Sequence, residues 1–411
     1  MKSSIDTLMQ THNIDVLLVT GDAFHNPSMV YLTGGGHITH ADLIKPQGKP
    51  ASLFCNSMER DEAAKTGLSI RSHSDYPYKN LLEESGGDTN LTLALRYKKM
   101  FQDLGITGGR IALYGQVEVG PFYATIKHLA DLLPNLTFCG FVSDPVLLPA
   151  MMTKDEGEID RIRKVGKITT EVVGRTADFL TNQSVKDRVL IKKDGQPLTI
   201  GEVKRLIDLW LTELGAENPE GTIFAIGRDA GVPHSSGNPS DGLKLGETIV
   251  FDIFPCETGG GYFHDFTRTW SLGYATDTAQ ELHEQVCTVY HQLVAELRVN
   301  APFKRYQQRT CELFEQYGHP TIQSQPHTDE GYVHSIGHGV GLRVHEMPFA
   351  GLTAGENDIL APGTVFAIEP GLYYPSRGMG FRVENTFVTH PDGQFESLTD
   401  FPFDLVLPLK S

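Results

Sequence analysis

The chain has 411 residues, 40% of them hydrophobic and 21% charged, enough for two domains of ordinary size with cores that need no covalent staple. Its 35 basic and 51 acidic side chains leave a net charge of −16, a surface that repels phosphate backbones and argues against a nucleic-acid partner. Cys55, Cys139, Cys256, Cys287 and Cys311 have no metal-knuckle spacing and fit a reduced compartment. The first residues hold no apolar leader and no run approaches the ~18 apolar residues of a membrane span, so a cytoplasmic protein without membrane partners is expected.

In chain order, a short helix carrying Ile5, Leu8 and Met9 precedes an apolar run of strand type at 14–20. Further runs of strand length lie at 51–55 and 111–114, and residues 121–133 read as a helix. This alternation predicts a smaller α/β domain over residues 1–150. Past Pro149 the pattern changes. Thr153-Lys-Asp-Glu156 has the form of a capping box, and Ile159, Ile162, Val165, Ile168, Val172 and Val173 follow at helical spacing. Residues 183–198 predict a hairpin or surface loop. Thr199-Ile-Gly-Glu202 opens a second helix through Val203, Leu206, Ile207, Trp210 and Leu214, stopped by Gly215. Thr278-Ala-Gln-Glu281 predicts a third, over Leu282, Val286, Val289, Leu293 and Leu297, and a fourth spans 303–317. Strand-like segments lie at 248–254, 266–272, 364–368 and 381–388. Long helices not regularly interleaved with strands predict an α+β domain over 151–411.

Acids interrupt the apolar runs of this second domain. Asp252 sits in Ile249-Val-Phe-Asp-Ile-Phe254, Asp265 heads the 266–272 run, Glu369 ends Val365-Phe-Ala-Ile368, and Glu384 lies within 381–388. A buried carboxylate is costly unless a positive charge meets it. A shared pair of divalent cations neutralises four acids more economically than four separate partners. His334-Ser-Ile-Gly-His338-Gly-Val-Gly-Leu-Arg-Val-His345 supplies imidazoles, and its glycines permit close backbone approach. His345-Glu-Met-Pro is not a zincin motif, because no second histidine follows at the required spacing. Hard oxygen donors with one imidazole suit two divalent ions per chain, Mn²⁺ foremost, with Co²⁺, Zn²⁺ or Fe²⁺ as alternatives. Two such ions about 3.5–4 Å apart bridge a water and bring its pKa toward ~7.

These blocks resemble, in family order, the pita-bread metallopeptidases, the group containing aminopeptidase P and prolidase. Val232-Pro-His234, Gly246 to Asp252, Asp265 to Thr269, His334 to Glu346, Ile368 to Tyr373 and Gly380 to Glu384 carry the likeness, and Val30-Tyr-Leu-Thr-Gly34 extends it to the smaller domain. The resemblance implies an α+β pita-bread (creatinase/aminopeptidase-like) catalytic domain and a metal-bridging hydroxide as nucleophile. It implies Asp252 as a ligand of one metal, Asp265 and Glu384 as bridges, and His338 and Glu369 as ligands of the other. His234, His334 and His345 would line the substrate side and move protons, and Arg382 would orient Glu384 or bind the substrate carboxyl. The implied substrates are small peptides with proline second, cleaved at a free N-terminus as by aminopeptidase P, and the implied assembly is a homodimer. This chain departs from the pattern in the spacing of Asp252 and Asp265, in the Cys256–Gly261 turn, and at Asn385, where an acid is common.

Three other readings compete. A Xaa-Pro dipeptidase needs a cation for the free carboxylate, for which Arg343, Arg377 or Arg382 is a candidate. A metal-dependent relative could act on a small non-peptide substrate. Relatives that work without metal, or that only bind partners, lack the ligand set that this sequence retains.

Overall fold

The computed structural model describes residues 4–410. Contacts divide them into two compact units, one reaching to residue 151 and including 259–261, the other of residues 152–258 and those from 262 on. Among the described residues no helix is long and apolar enough to cross a membrane.

The first unit is built on a six-stranded mixed sheet in the order Ser69–Ser72, Ser52–Cys55, Ala41–Pro46, Val16–Gly21, Gly109–Gln116, Leu136–Cys139. Val16–Gly21 runs parallel to Gly109–Gln116 and antiparallel to Ala41–Pro46. All six residues of Val16–Gly21 are buried, as expected of a strand covered on both faces. Helix Thr89–Asp103 packs Ala94, Leu95 and Phe101 against Leu18, Ile44, Phe54 and Ile111 of the sheet.

The second unit repeats one arrangement twice, a sheet backed by two helices. Helices Glu156–Thr181 and Ile200–Glu213 cover a four-stranded sheet ordered Thr222–Ile226, Thr248–Ile253, Phe266–Leu272, Val406–Leu407. Val172, Val173, Val203, Ile207 and Leu211 meet Phe224, Phe251 and Trp270 there. Helices Asp277–Glu296 and Lys304–Gln316 cover a five-stranded sheet containing His338–Gly339, Val365–Ile368 and Asn385–Thr389. Val286, Val289, Leu293 and Phe314 meet Phe366 and Phe387 in that core. The expected hairpin forms from Ser184–Lys186 and Val189–Ile191 and turns at Asp187 and Arg188, both with φ above +50°.

Two helix starts differ from expectation. The first capping box is Asp155 with Glu158, not Thr153 with Glu156. Thr153 instead bridges to Thr364, and Lys154 pairs with Glu346 in the interior, so the chain stays extended until Asp155. The third helix is capped by Thr276, whose side chain accepts from the Ala279 N–H, rather than by Thr278. Segment 381–388 is also not one strand. Met379–Arg382 pairs with Gly371–Tyr374, while Asn385–Thr389 joins the five-stranded sheet. Glu384 lies at the break, where its N–H donates to the Thr267 carbonyl at 3.0 Å and ties the two sheets together.

Candidate metal centre

The strand Thr248–Ile253 alternates its side chains. Ile249, Phe251 and Ile253 enter the helix-covered core, which turns Asp252 to the opposite face. Register places Asp252 beside Ile223 on one neighbouring strand and Thr267 on the other. Of the four acids, Asp252 alone lies inside a strand. Asp265 precedes Phe266–Leu272 and Glu369 follows Val365–Ile368. Strand ends release backbone from ladder pairing, so acids there can converge from different sheets.

They do converge. Ligand atoms of Asp265, His338 and Glu384 lie within 4.8 Å of one another. His338 Nε2 is 3.6 Å from Asp265 Oδ2 and 3.5 Å from Glu369 Oε1. Its Nδ1 donates to the Gly339 carbonyl at 3.1 Å, which leaves a lone pair on Nε2. Burial, then the neighbouring His345, pushes the His338 pKa down to about 3, so the ring is neutral. A neutral imidazole aiming a lone pair at two carboxylates is repulsive without a cation between them. The carboxylates give the same indication. Burial, and then Glu384, hold Asp265 and Glu369 well above the usual range, and burial followed by Asp252 raises Glu384 to about 8. Asp252 Oδ1, Asp265 Oδ1 and Glu384 Oε1 are buried with no hydrogen-bond partner. Orphaned acceptors of this kind are costly, and divalent cations with a taste for oxygen would satisfy them. The residues present therefore fit a metal pair.

Around the acids opens a cavity of about 820 Å³. Every site residue expected from the sequence lines it: His234, Asp252, Asp265, His334, His338, His345, Glu369, Arg382 and Glu384. His234 and His345 are exposed to it, and the His345 ring lies 4.2 Å from that of His338. His334 Nδ1 donates to the Ser335 carbonyl at 2.6 Å, and its Nε2 accepts from the Tyr373 hydroxyl at 2.9 Å. Tyr373 in turn accepts from Arg382 Nη1 at 2.8 Å.

Arg382 does not pair with Glu384, the first of the two roles expected for it. Its Nη2 pairs with Asp252 rather than Glu384, and its other nitrogens reach Thr267, Tyr373 and the Pro233 carbonyl. Glu384 is held instead by Thr267 Oγ1 at 2.7 Å. Arg343 and Arg377 are exposed and outside the cavity lining, and Arg377 stacks on Tyr374. Asn385, standing where an acid was anticipated, donates to the Tyr290 hydroxyl at 2.8 Å. The sequence reading missed Thr267 and Tyr373 as supports. It also missed Lys204, Asp208 and Glu220 and the apolar wall of Ile223, Phe254, Val344 and Phe349.

The pattern of metallopeptidase family M24 matches residues 160–391, more than half of the chain and all nine site residues. The protein belongs to metallopeptidase family M24. Like the family, it is a hydrolase, and the family works with divalent metals. The probable dipeptidase PepE of Mycobacterium tuberculosis is 28% identical over 280 residues, 68% of this chain and 67% of that protein. The Xaa-Pro dipeptidase of Pyrococcus horikoshii is 25% identical over 390 residues, 94% and 93% of the two chains. Among solved structures, the X-Pro aminopeptidase of Thermotoga maritima superposes with a TM-score of 0.73 at 23% identity, covering 95% of this chain and 97% of that one. The Xaa-Pro dipeptidase of Bacillus anthracis gives 0.74 at 19%, covering 98% and 97%. The M24 chain described here thus has the pita-bread fold expected from its sequence, with an additional α/β unit before it.

Proposed function

We propose that the protein is a two-metal peptidase that hydrolyses Xaa-Pro dipeptides. The observation that carries this reading is the set of buried Asp252, Asp265, His338 and Glu384 with part-buried Glu369, three of their carboxylate oxygens orphaned, around one cavity. Asp265 and Glu384 would be shared between two divalent cations, Asp252 would complete one, and His338 with Glu369 the other. Bound there, the ions would supply Lewis acidity and a water of lowered pKa. Mn²⁺ is the ion we would load first. The relatives quoted above as dipeptidases support the dipeptidase over the aminopeptidase P reading.

The chain's own residues would do the rest. A bond before proline is a tertiary amide without N–H, so its nitrogen must gain a proton as it leaves. His345 is exposed on the cavity beside His338 and is placed to hold the scissile carbonyl or deliver that proton. His234 lines the same side. His334 is fixed by Ser335 and Tyr373, and Arg382 holds Asp252 in place. His345→Ala is expected to lower turnover by about 10²–10⁴-fold, the range of general acid–base catalysis, with metal content unchanged. Loss of metal in that variant would make His345 a ligand instead.

Substrate class is tested with Mn²⁺-loaded protein on Ala-Pro and Ala-Pro-Ala. Cleavage of the dipeptide alone is expected. Cleavage of the tripeptide would favour an aminopeptidase, and metal binding without cleavage of either would move the reaction to a non-peptide substrate.

A further inference from the structure

The first unit contains a cavity of about 390 Å³ that peptide hydrolysis does not use. It opens beyond the carboxyl ends of the parallel neighbours Val16–Gly21 and Gly109–Gln116, where Gly21 lies opposite Gln116. The chain leaves these strands toward opposite sides of the sheet. The next strand after the first, Ala41–Pro46, lies on one flank, and the next after the second, Leu136–Cys139, on the other. Such a switch point opens the crevice in which α/β sheets hold small ligands.

The side chains select the ligand. Arg96 lines the cavity, and its Nε is buried with no hydrogen-bond partner. The buried acid Asp42, whose charge Arg96 feels, takes its hydrogen bonds from Thr20 Oγ1 and the Tyr97 hydroxyl at 2.6 Å each and from His73 Nε2 at 3.0 Å, and none from Arg96 Nε. A planar guanidinium with an unmet donor matches a carboxylate. Asp22 and Glu118, the exposed acids directly beyond the two strands, also line the cavity, and Glu118 does not cap the helix that follows it. A simple anion such as phosphate would meet these acids as well as Arg96, whereas a molecule carrying both charges meets each with its opposite. Leu93, Val117 and Phe122 add an apolar wall.

We propose that this cavity binds an amino-acid-sized zwitterion, with its carboxylate on Arg96, its ammonium toward Asp22 and Glu118, and its side chain on the apolar wall. It is the class of molecule that a peptidase releases, although the site shares no lining residue with the catalytic cavity and does not depend on which peptides are cleaved.

The test is calorimetric titration of L-leucine into the metal-loaded full-length protein and into Arg96→Gln. The parent should show a binding component that weakens by about 10-fold or more in the variant, the scale of one charged hydrogen-bonded contact. L-Leucinamide, which has no carboxylate, should lack this component in the parent. Arg96→Lys, which keeps the charge but not the fork, should retain part of it. Peptidase turnover should be the same in all three proteins. Identical leucine isotherms for the parent and Arg96→Gln would overturn the proposal. Binding of inorganic phosphate in place of leucine, lost in Arg96→Gln, would overturn it in favour of a plain anion site.

Discussion

Asp265→Asn is expected to lower turnover by at least about 10³-fold, the upper scale for removing one electrostatic stabiliser, while the far-UV circular dichroism stays that of the parent. The amide is isosteric and its backbone ties to Thr386 do not involve the side chain, so the fold has no reason to change. The metal-free and metal-loaded forms should respond in opposite directions. Without metal, Asp265 is a buried carboxyl crowded by Glu384, Asp252 and Glu369. Replacing it with a neutral group removes that repulsion, so the melting temperature of the metal-free variant should equal or exceed the parent's. With metal, one of the proposed shared ligands would be lost, and stabilisation by a ligand scales with its affinity. The rise in melting temperature on adding Mn²⁺ should therefore shrink. Unchanged turnover together with two bound metals per chain would remove Asp265 from the ligand set.

The candidate ligands were legible because acids contradict the hydrophobic pattern around them. Asp252, Asp265, Glu369 and Glu384 stand against apolar neighbours, and that conflict survives without coordinates. What supports them was not legible. Thr267 and Tyr373 are ordinary strand residues in composition, and only tertiary pairing shows that one holds Glu384 and the other links Arg382 to His334. The break at Glu384 was hidden for a related reason. Residues 381–388 are apolar enough to read as one strand, yet the chain leaves one sheet for another in the middle, and hydrophobicity carries no record of which partner each half takes.

The helix starts make the same point locally. Thr153-x-x-Glu156 and Asp155-x-x-Glu158 are overlapping capping boxes in one stretch, and propensity does not rank them. The choice is made at long range, by the burial of Lys154 on Glu346 and the bridge of Thr153 to Thr364. The cavity around Arg96 gave no signal, because an arginine on an amphipathic helix reads as part of a solvated face.

Arg382→Met should cost the metal-free protein about 3–5 kcal/mol, the usual penalty for removing one partner of a buried ion pair, seen as a lower urea midpoint at an unchanged slope. Arg382 is 2% exposed, and its guanidinium meets Asp252, Thr267, Tyr373 and the Pro233 carbonyl at once. Methionine fills much of the volume but leaves Asp252 as an uncompensated buried charge, with one oxygen already orphaned. In the metal-loaded protein the same substitution should cost less, because cations held by Asp252 would neutralise it in place of the arginine. Lysine at 382 should fall between, since an ammonium keeps the charge but cannot reach all four partners. Activity should fall in both variants, through a misplaced Asp252 and through His334, whose tie to Tyr373 depends on the same arginine. The decisive quantity is the difference between the two urea midpoints, with and without Mn²⁺. If Arg382→Met costs the same in both states, Asp252 does not answer to the metals, and it would have to be assigned to the arginine alone.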